Sequence, residues 1–408
     1  MRKVELLVPA SSLEVLKIAV IYGADAVYIG GEAFGLRAKA KNFSRQDMEE
    51  GIRFAHHHGV KVYVTVNILA HNGDLEGVKS YLEELKEIGP DGLIIADPGI
   101  YTYAKEICPE IERHISTQAN NTNYETFRFW YALGAKRVVT ARELSLEEIR
   151  QIRRHIPEDM EIETFVHGAM CISYSGRCLL SNYMAGRDAN QGACTHPCRW
   201  KYSIVEEKRP GEYMPVYENE RGTYIFNSKD LCMIQHMDEL LESGIDSLKI
   251  EGRMKTALYV ATVARTYRKA IDDYKESLEK YRENMPWYQE QIASCTYRQF
   301  TTGFFYGKPD ETAQIYGSST YVKEYTYLGY VEAVDGRGFA QITQKNKFVQ
   351  GETIELMKPN GENLSVKVRA IYDEDGSQVD SAPHAQQKLY VDVGAPVEPY
   401  DILRREED

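Results

Sequence analysis

The 408-residue sequence has no long hydrophobic run, and none of its apolar stretches approaches the ~18 residues of a membrane span. No membrane association is expected. The opening residues, MRKVELLVPASS, carry neither a signal-peptide apolar region nor a small-residue cleavage site. The expected location is therefore the cytoplasm. Basic excess is missing as well: 49 lysines and arginines stand against 61 aspartates and glutamates, a formal charge of -12. That balance excludes a protein that coats nucleic acid indiscriminately, because such binding is driven by phosphate neutralisation. It leaves room for a local basic site. The zinc-hydrolase pattern H-E-x-x-H and the nucleophile elbow G-x-S-x-G are both absent, which removes the two commonest hydrolytic signatures. Cysteine is scarce, with seven in all, yet Cys171, Cys178, Cys194 and Cys198 crowd into one short segment. In a reducing compartment such a cluster points to metal binding or chemistry rather than to disulfides.

What is present is a repeat. Apolar strand-like runs follow a glycine at a set offset in GADAVYIGG, GVKVYVTVN, GPDGLIIAD, GAKRVVTAR and GIDSLKIEG. Each reads as a helix closed by a left-handed glycine, a short loop and a buried parallel strand. Segments of helical period, such as SLEVLKIAVIY and DLEGVKSYLEELKEI, lie between them. With VELLVPA, ERHIST and EIETFVHG, eight strands are expected, at 4–9, 26–31, 61–67, 92–96, 112–117, 136–141, 161–166 and 246–251. Eight βα units in about 275 residues predict an α/β fold of the TIM (β/α)8 type. The long gap after the seventh strand, about 167–230, holds the cysteines as an insertion, followed by an expected helix over KDLCMIQHMDELLES. The predicted domains are a barrel over 1–275, a helical and loop linker over 276–320, and a small β-barrel over 321–408, where short strand-like runs alternate with glycine, asparagine and aspartate.

Barrel enzymes place their chemistry at the C-terminal strand ends. Those ends carry Gly30, Asn67, Asp97, Thr117 with Gln118 and Asn120, Arg142 with Glu143, His167 with Gly168 and Cys171, and Glu251 with Arg253. The cysteine spacing is C-x6-C-x15-C-x3-C. A structural zinc site normally uses tight knuckles in both halves, and only the second half complies; an iron-sulfur cluster also takes four thiolates and tolerates varied spacing. Spacing alone leaves both metals open. Cys232 is expected in an amphipathic helix and Cys108 just after one, each as a small apolar residue.

The stretch ETFVHGAMCISYSGRCLLS, from Glu163 to Ser181, closely resembles the signature of the peptidase U-32 family, the collagenase-like proteins. The likeness extends through LRAKAKNFS, STQANNTN, GRDANQGACTHPCRWKY, NSKDLC, SLKIEGRMK and RQFTTGFF, and so over most of the chain. Among the family's members, the chain looks most like those that modify tRNA. The resemblance implies oxygen-independent hydroxylation with a [4Fe-4S] cluster and, in RNA-modifying members, prephenate as a small-molecule cosubstrate. Members act on the wobble uridine of tRNA, giving 5-hydroxyuridine, on a cytidine of 23S ribosomal RNA, or on the ubiquinone ring.

Carried onto this sequence, the resemblance makes Cys171, Cys178, Cys194 and Cys198 the metal ligands. Candidate catalytic residues are His167, Glu163, Arg142, Glu251 and Arg253, and candidate cosubstrate-binding residues are Lys249, Lys255, Gln118 and Asn120. Arg142, Lys249, Arg253 and Lys255 suit a dicarboxylate, since guanidinium grips carboxylate with two parallel hydrogen bonds; they equally suit structural ion pairs with Glu143 or Glu251. The leading expectation is a tRNA hydroxylase, with a second subunit of the same family as a possible partner. Two alternatives stand beside it: a peptidase using Cys171 with His167, and a zinc-stapled RNA-binding scaffold.

Overall fold

A computed structural model describes residues 3–35, 42–171, 174–175, 177–187, 189, 194–195, 197, 217–219, 222–224, 229–295, 299–309 and 325–407. The chain divides into two compact units, one from residues 1–20, 24–255 and 298–320, the other from 21–23, 256–297 and 321–408.

The first unit is a closed parallel barrel. Its strands are β1 (Glu5–Pro9), β2 (Ala26–Gly30), β3 (Lys61–Val66), β4 (Gly92–Ile95), β5 (Glu112–Ile115), β6 (Arg137–Val139) and β7 (Glu161–Gly168). A hairpin, β8 (Tyr217–Asn219) with β9 (Gly222–Tyr224), and the short β10 (Asp230–Cys232) precede the eighth barrel strand, β11 (Ser247–Ile250). From β1 to β7 each strand pairs with the next, and β11 pairs with both β7 and β1, closing the ring. The eight expected strands are all found, because strands buried on both faces need continuous apolar runs and these runs are β-branched.

The connecting helices are α1 (Leu13–Ile21), α2 (Arg45–His57), α3 (Leu75–Ile88), α4 (Pro98–Ile107), α5 (Tyr124–Leu133) and α6 (Leu146–His155), with α7 (Leu180–Ala185) and α8 (Met237–Glu242) in and after the insertion. Local sequence sets their ends. Ser44, Asp97 and Asn123 accept backbone N–H groups at the starts of α2, α4 and α5, and Ser145 forms a capping box with Glu148 at α6. Gly89 and Gly134 end α3 and α5 in the left-handed conformation.

One expected element is different. Residues 229–243 do not form a single helix: β10 is extended, antiparallel to the overhanging end of β7, with Leu231 opposite Gly168 and Cys232 opposite His167. Its other edge pairs with β12 (Phe300–Thr301). The overhang of β7 offers unpaired backbone groups, and satisfying them outweighs the local helical period. Cys232 therefore sits on a strand beside His167, whereas Cys108 caps α4 and is fully buried, as expected.

An ionic layer runs through the barrel interior. Arg137 reaches Glu5 at 2.5 Å, Glu161 at 2.6 Å and Glu163 at 3.1 Å, and Lys249 reaches Glu163 at 2.6 Å. Tyr63 and Ser247 donate their hydroxyls to Glu5. Lys249 lies over the Tyr28 ring and Arg137 over Tyr63. Burial alone pushes the Glu5 carboxyl up, but the Arg137 guanidinium outweighs it and holds the group at about 2.

The second unit contains α9 (Ala257–Glu276), α10 (Leu278–Glu283), α11 (Met285–Ala293) and strands β13 (Tyr325–Val334), β14 (Ala340–Thr343), β15 (Phe348–Val349), β16 (Thr353–Met357), β17 (Asn363–Lys367), β18 (Ala370–Tyr372), β19 (Gln378–Val379), β20 (Ser381–Ala382), β21 (Lys388–Asp392) and β22 (Ile402–Glu406). Eight of these strands form one antiparallel sheet in the order β17, β16, β22, β13, β14, β21, β18, β19, a half-barrel with β17 and β19 at its edges. Period-two alternation sends Leu328, Ile342, Leu356, Ile371, Leu389 and Leu403 into one apolar core. No helix of the described residues is long and apolar enough to cross a membrane.

Candidate active site

The C-terminal strand ends form a polar mouth. Past β3 and β5, the Asn67 amide donates to the Ser116 hydroxyl (3.3 Å) and to the Gln118 carbonyl oxygen (3.1 Å). Arg253, which follows β11 and is 9% exposed, donates from Nη1 to the Thr65 hydroxyl at 2.8 Å. That approach depends on Gly30, where a Cβ would stand 2.5 Å from the same guanidinium nitrogen.

Beside it, Arg142 donates to the Ala169 carbonyl at 2.9 Å, faces Glu251 at 3.5 Å and stacks 4.0 Å above the Phe165 ring. The backbone between His167 and Ala169 turns at Gly168 with φ +108°, and a Cβ there would lie 2.5 Å from the Glu251 carbonyl oxygen. Glycine is required on both counts. His167 is 2% exposed. Burial lowers its pKa to about 4, with Lys255 adding to the effect and Asp230 opposing it, so the imidazole is neutral near pH 7.

The sequence-derived candidates thus separate into two layers. Arg142, His167, Glu251, Arg253, Gln118 and Asn120 gather at the mouth. Glu163 and Lys249 are paired with each other inside the barrel, at 0% and 5% side-chain exposure. The Glu163 carboxyl is resisted by burial but kept below its usual range by Lys249 and Arg137.

Two hydrogen-bonded tethers position the cysteine segment. Asn120, in the left-handed conformation after β5, donates to the Ser175 carbonyl at 3.0 Å and accepts from Arg177 Nε at 2.6 Å. Arg177 is the neighbour of Cys178. Ser181, buried in the first turn of α7, accepts the Thr195 N–H at 3.0 Å, and the two hydroxyls lie 3.1 Å apart. Thr195 is the neighbour of Cys194. Cys171 is exposed, Cys178 and Cys194 are half-buried, and none of the three forms a disulfide. Cys198 lies outside the described residues.

Next to Cys171 opens a cleft of about 440 Å3 lined by Glu143, Ser145, Glu148, Cys171, Tyr174, Phe304, Gly307 and Lys308. Its far wall is built on β12 and on the bond from Leu146 N–H to the Phe305 carbonyl, 3.0 Å. RQFTTGFF stands out in the sequence only through the family resemblance, which gives Phe304 no role. Nothing local in that stretch reveals that it folds back beside Cys171. Arg177 and Ser181 lie inside the signature stretch from Glu163 to Ser181, but nothing in their spacing marks them as tethers.

Models of two families match the chain: Peptidase family U32 over residues 11–315 and the Peptidase family U32 C-terminal domain over 323–404. Relatives include tRNA hydroxylation protein P1 of Bacillus subtilis (strain 168), 41% identical over 99% of this chain and 95% of that protein. Another is tRNA hydroxylation protein P of Escherichia coli (strain K12), 38% identical over 99% and 97%. The 23S rRNA 5-hydroxycytidine C2501 synthase of Escherichia coli (strain K12) is 38% identical over 66% of this chain and 39% of its own length. With matches that span both of its units and similarity along nearly its whole length, the chain belongs to peptidase family U32.

Proposed function

We propose that this protein is a tRNA hydroxylase that converts the wobble uridine to 5-hydroxyuridine without oxygen, using prephenate as cosubstrate and a [4Fe-4S] cluster. The observation that carries the reading is the near full-length similarity to relatives named tRNA hydroxylation proteins. The arrangement at the barrel mouth supports it. Four thiols in one segment suit a thiolate-ligated cluster by their chemistry, and Cys171, Cys178, Cys194 and Cys198 are the residues that would hold it; among the described residues no three His, Cys, Asp or Glu side chains converge on a metal position. When bound, the cluster supplies electron transfer. Asn120 and Arg177 hold one part of the cysteine segment, and Ser181 with Thr195 holds another.

The mouth supplies cations for a dicarboxylate. Arg253 and Lys255 are assigned to the cosubstrate carboxylates, with Gln118, held by Asn67, as a neutral donor beside them. Arg142 and Glu251 brace the turn that carries Cys171, and the neutral His167 can take a proton at one ring nitrogen while releasing one from the other, which leaves its charge unchanged. In the net change the base exchanges C5–H for C5–OH and loses two electrons. A hydroxylated cosubstrate balances it if one of its C–OH groups becomes C–H.

The test is anaerobic incubation of purified protein with tRNA and prephenate, followed by nucleoside analysis and by iron, sulfide and zinc determination. The reading expects 5-hydroxyuridine, about four irons and four sulfides per chain, and loss of both product and cluster in Cys194→Ala. Undiminished modification by Cys194→Ala, or one zinc without sulfide, would sink it.

A further inference from the structure

Resting on that reading, we propose that the cleft bounded by Glu143, Cys171, Tyr174, Phe304 and Lys308 is the pocket that receives the target nucleoside, unstacked from the RNA. Its volume of about 440 Å3 falls in the range of small-molecule sites, ~300 to 1,000 Å3. An enzyme that alters a base edge must take the base out of its stack and hold its faces between aromatic or apolar walls. Tyr174 and Phe304 supply those walls. Tyr174 is 46% exposed, so its ring is open to a ligand.

Charge distinguishes the occupant. The lining carries two carboxylates, Glu143 and Glu148, against one ammonium, Lys308. A dicarboxylate cosubstrate would be repelled there, whereas a flat neutral base that presents N–H donors is matched. Glu148 is already engaged with the Ser145 N–H and hydroxyl, at 2.8 and 2.7 Å. Glu143 is therefore the carboxylate assigned to the base, accepting a ring N–H. Lys308 is exposed at the rim, where a backbone phosphate would pass. Cys171 lines the same cleft, which sets the reacting edge beside the first of the four cysteines. Phe304 is placed by β12 and by the Leu146 to Phe305 bond, so the wall is anchored to strand and helix.

The test uses the full-length protein, prepared without oxygen, and a tRNA transcript carrying the fluorescent base pyrrolocytosine at the wobble position. Binding to the wild type should change the emission of the probe. Phe304→Ala should weaken binding about ten-fold, the scale of one lost base-aromatic stack, and Phe304→Tyr should restore it. Lys308→Glu, at an exposed position that cannot disturb the core, should weaken binding several-fold and reduce the salt slope by about one. Cluster absorbance should match the wild type in all three variants. Phe304→Ala and Lys308→Glu proteins that bind and hydroxylate tRNA with wild-type KM overturn the assignment, as do variants whose only change is the KM for prephenate. A wild-type protein that hydroxylates no tRNA sinks the function above and the pocket with it. A working wild type with unaffected variants sinks the pocket alone.

Discussion

Replacing Glu163 by leucine should destabilise the barrel far more than replacing Lys249, its partner 2.6 Å away, by methionine. Glu163→Leu leaves the Lys249 ammonium, 5% exposed, facing the Tyr28 and Phe165 rings without a carboxylate in its ion pair. Breaking a buried pair in this way costs ~3–5 kcal/mol. Lys249→Met costs less, because Glu163 retains Arg137 at 3.1 Å. Arg137 in turn keeps Glu5 and Glu161 in either variant. Removing both charges together deletes the whole desolvation problem, so the double variant should lie within ~1–2 kcal/mol of the wild type. Thermal unfolding followed by circular dichroism reads the difference. A loss of ~3 kcal/mol lowers the midpoint by about 6 to 12 °C, at ~2–4 °C per kcal/mol for a domain of 150–250 residues. The double variant should recover most of that drop. A double variant as unstable as the two singles summed would refute the view that these residues form one coupled pair in the barrel core.

Arg177→Ala should release the turn before Cys178 by removing the 2.6 Å bond to Asn120 and, under the proposed cluster assignment, lower the iron content of protein purified without oxygen. Unchanged iron would show that the tether does not order the cysteine segment. Gly168→Ala should cost ~1–3 kcal/mol in backbone strain, with the 2.5 Å overlap against the Glu251 carbonyl adding to it; a wild-type melting midpoint would contradict this. His167 makes stability depend on acidity. Its folded pKa of about 4 lies below the ordinary 6.5, so between those values the unfolded chain binds the extra proton and stability falls as pH falls. Over the window this amounts to ~3 kcal/mol at 1.36 kcal/mol per unit. A His167→Phe variant should show a flatter dependence of melting on pH from 6.5 to 4, and an unchanged slope would remove His167 as its source.

The order of the βα units and the left-handed glycines at 89 and 134 were legible from the chain, because each depends on residues within one turn or one strand. The strand ends that make the mouth followed directly from them. The segment around Cys232 was not legible: its helical period is a local signal, and the pairing with β7 that overrides it joins residues about sixty positions apart. Charge was ambiguous in the same way. Glu163 and Arg142 read alike as charged residues at or near strand ends, yet the alternation of side chains along β7 points Glu163 inward to Lys249 and Arg137, while Arg142 stays at the mouth.

Sequence by itself therefore determined the parallel barrel and the β-rich region that follows, since periodicity and turn chemistry are short-range properties of the chain; that the second sheet is a half-barrel with two open edges, and not the closed small barrel expected, was decided by tertiary structure. Only the tertiary structure decided that residues 5, 137, 163 and 249 share one ionic layer, and that Glu143, Cys171, Phe304 and Lys308 line one cleft. Closure of the parallel ring brings the first group together, and return of the chain through β12 brings the second. Neither juxtaposition has a counterpart in sequence spacing, because both join segments that are separated along the chain by whole βα units.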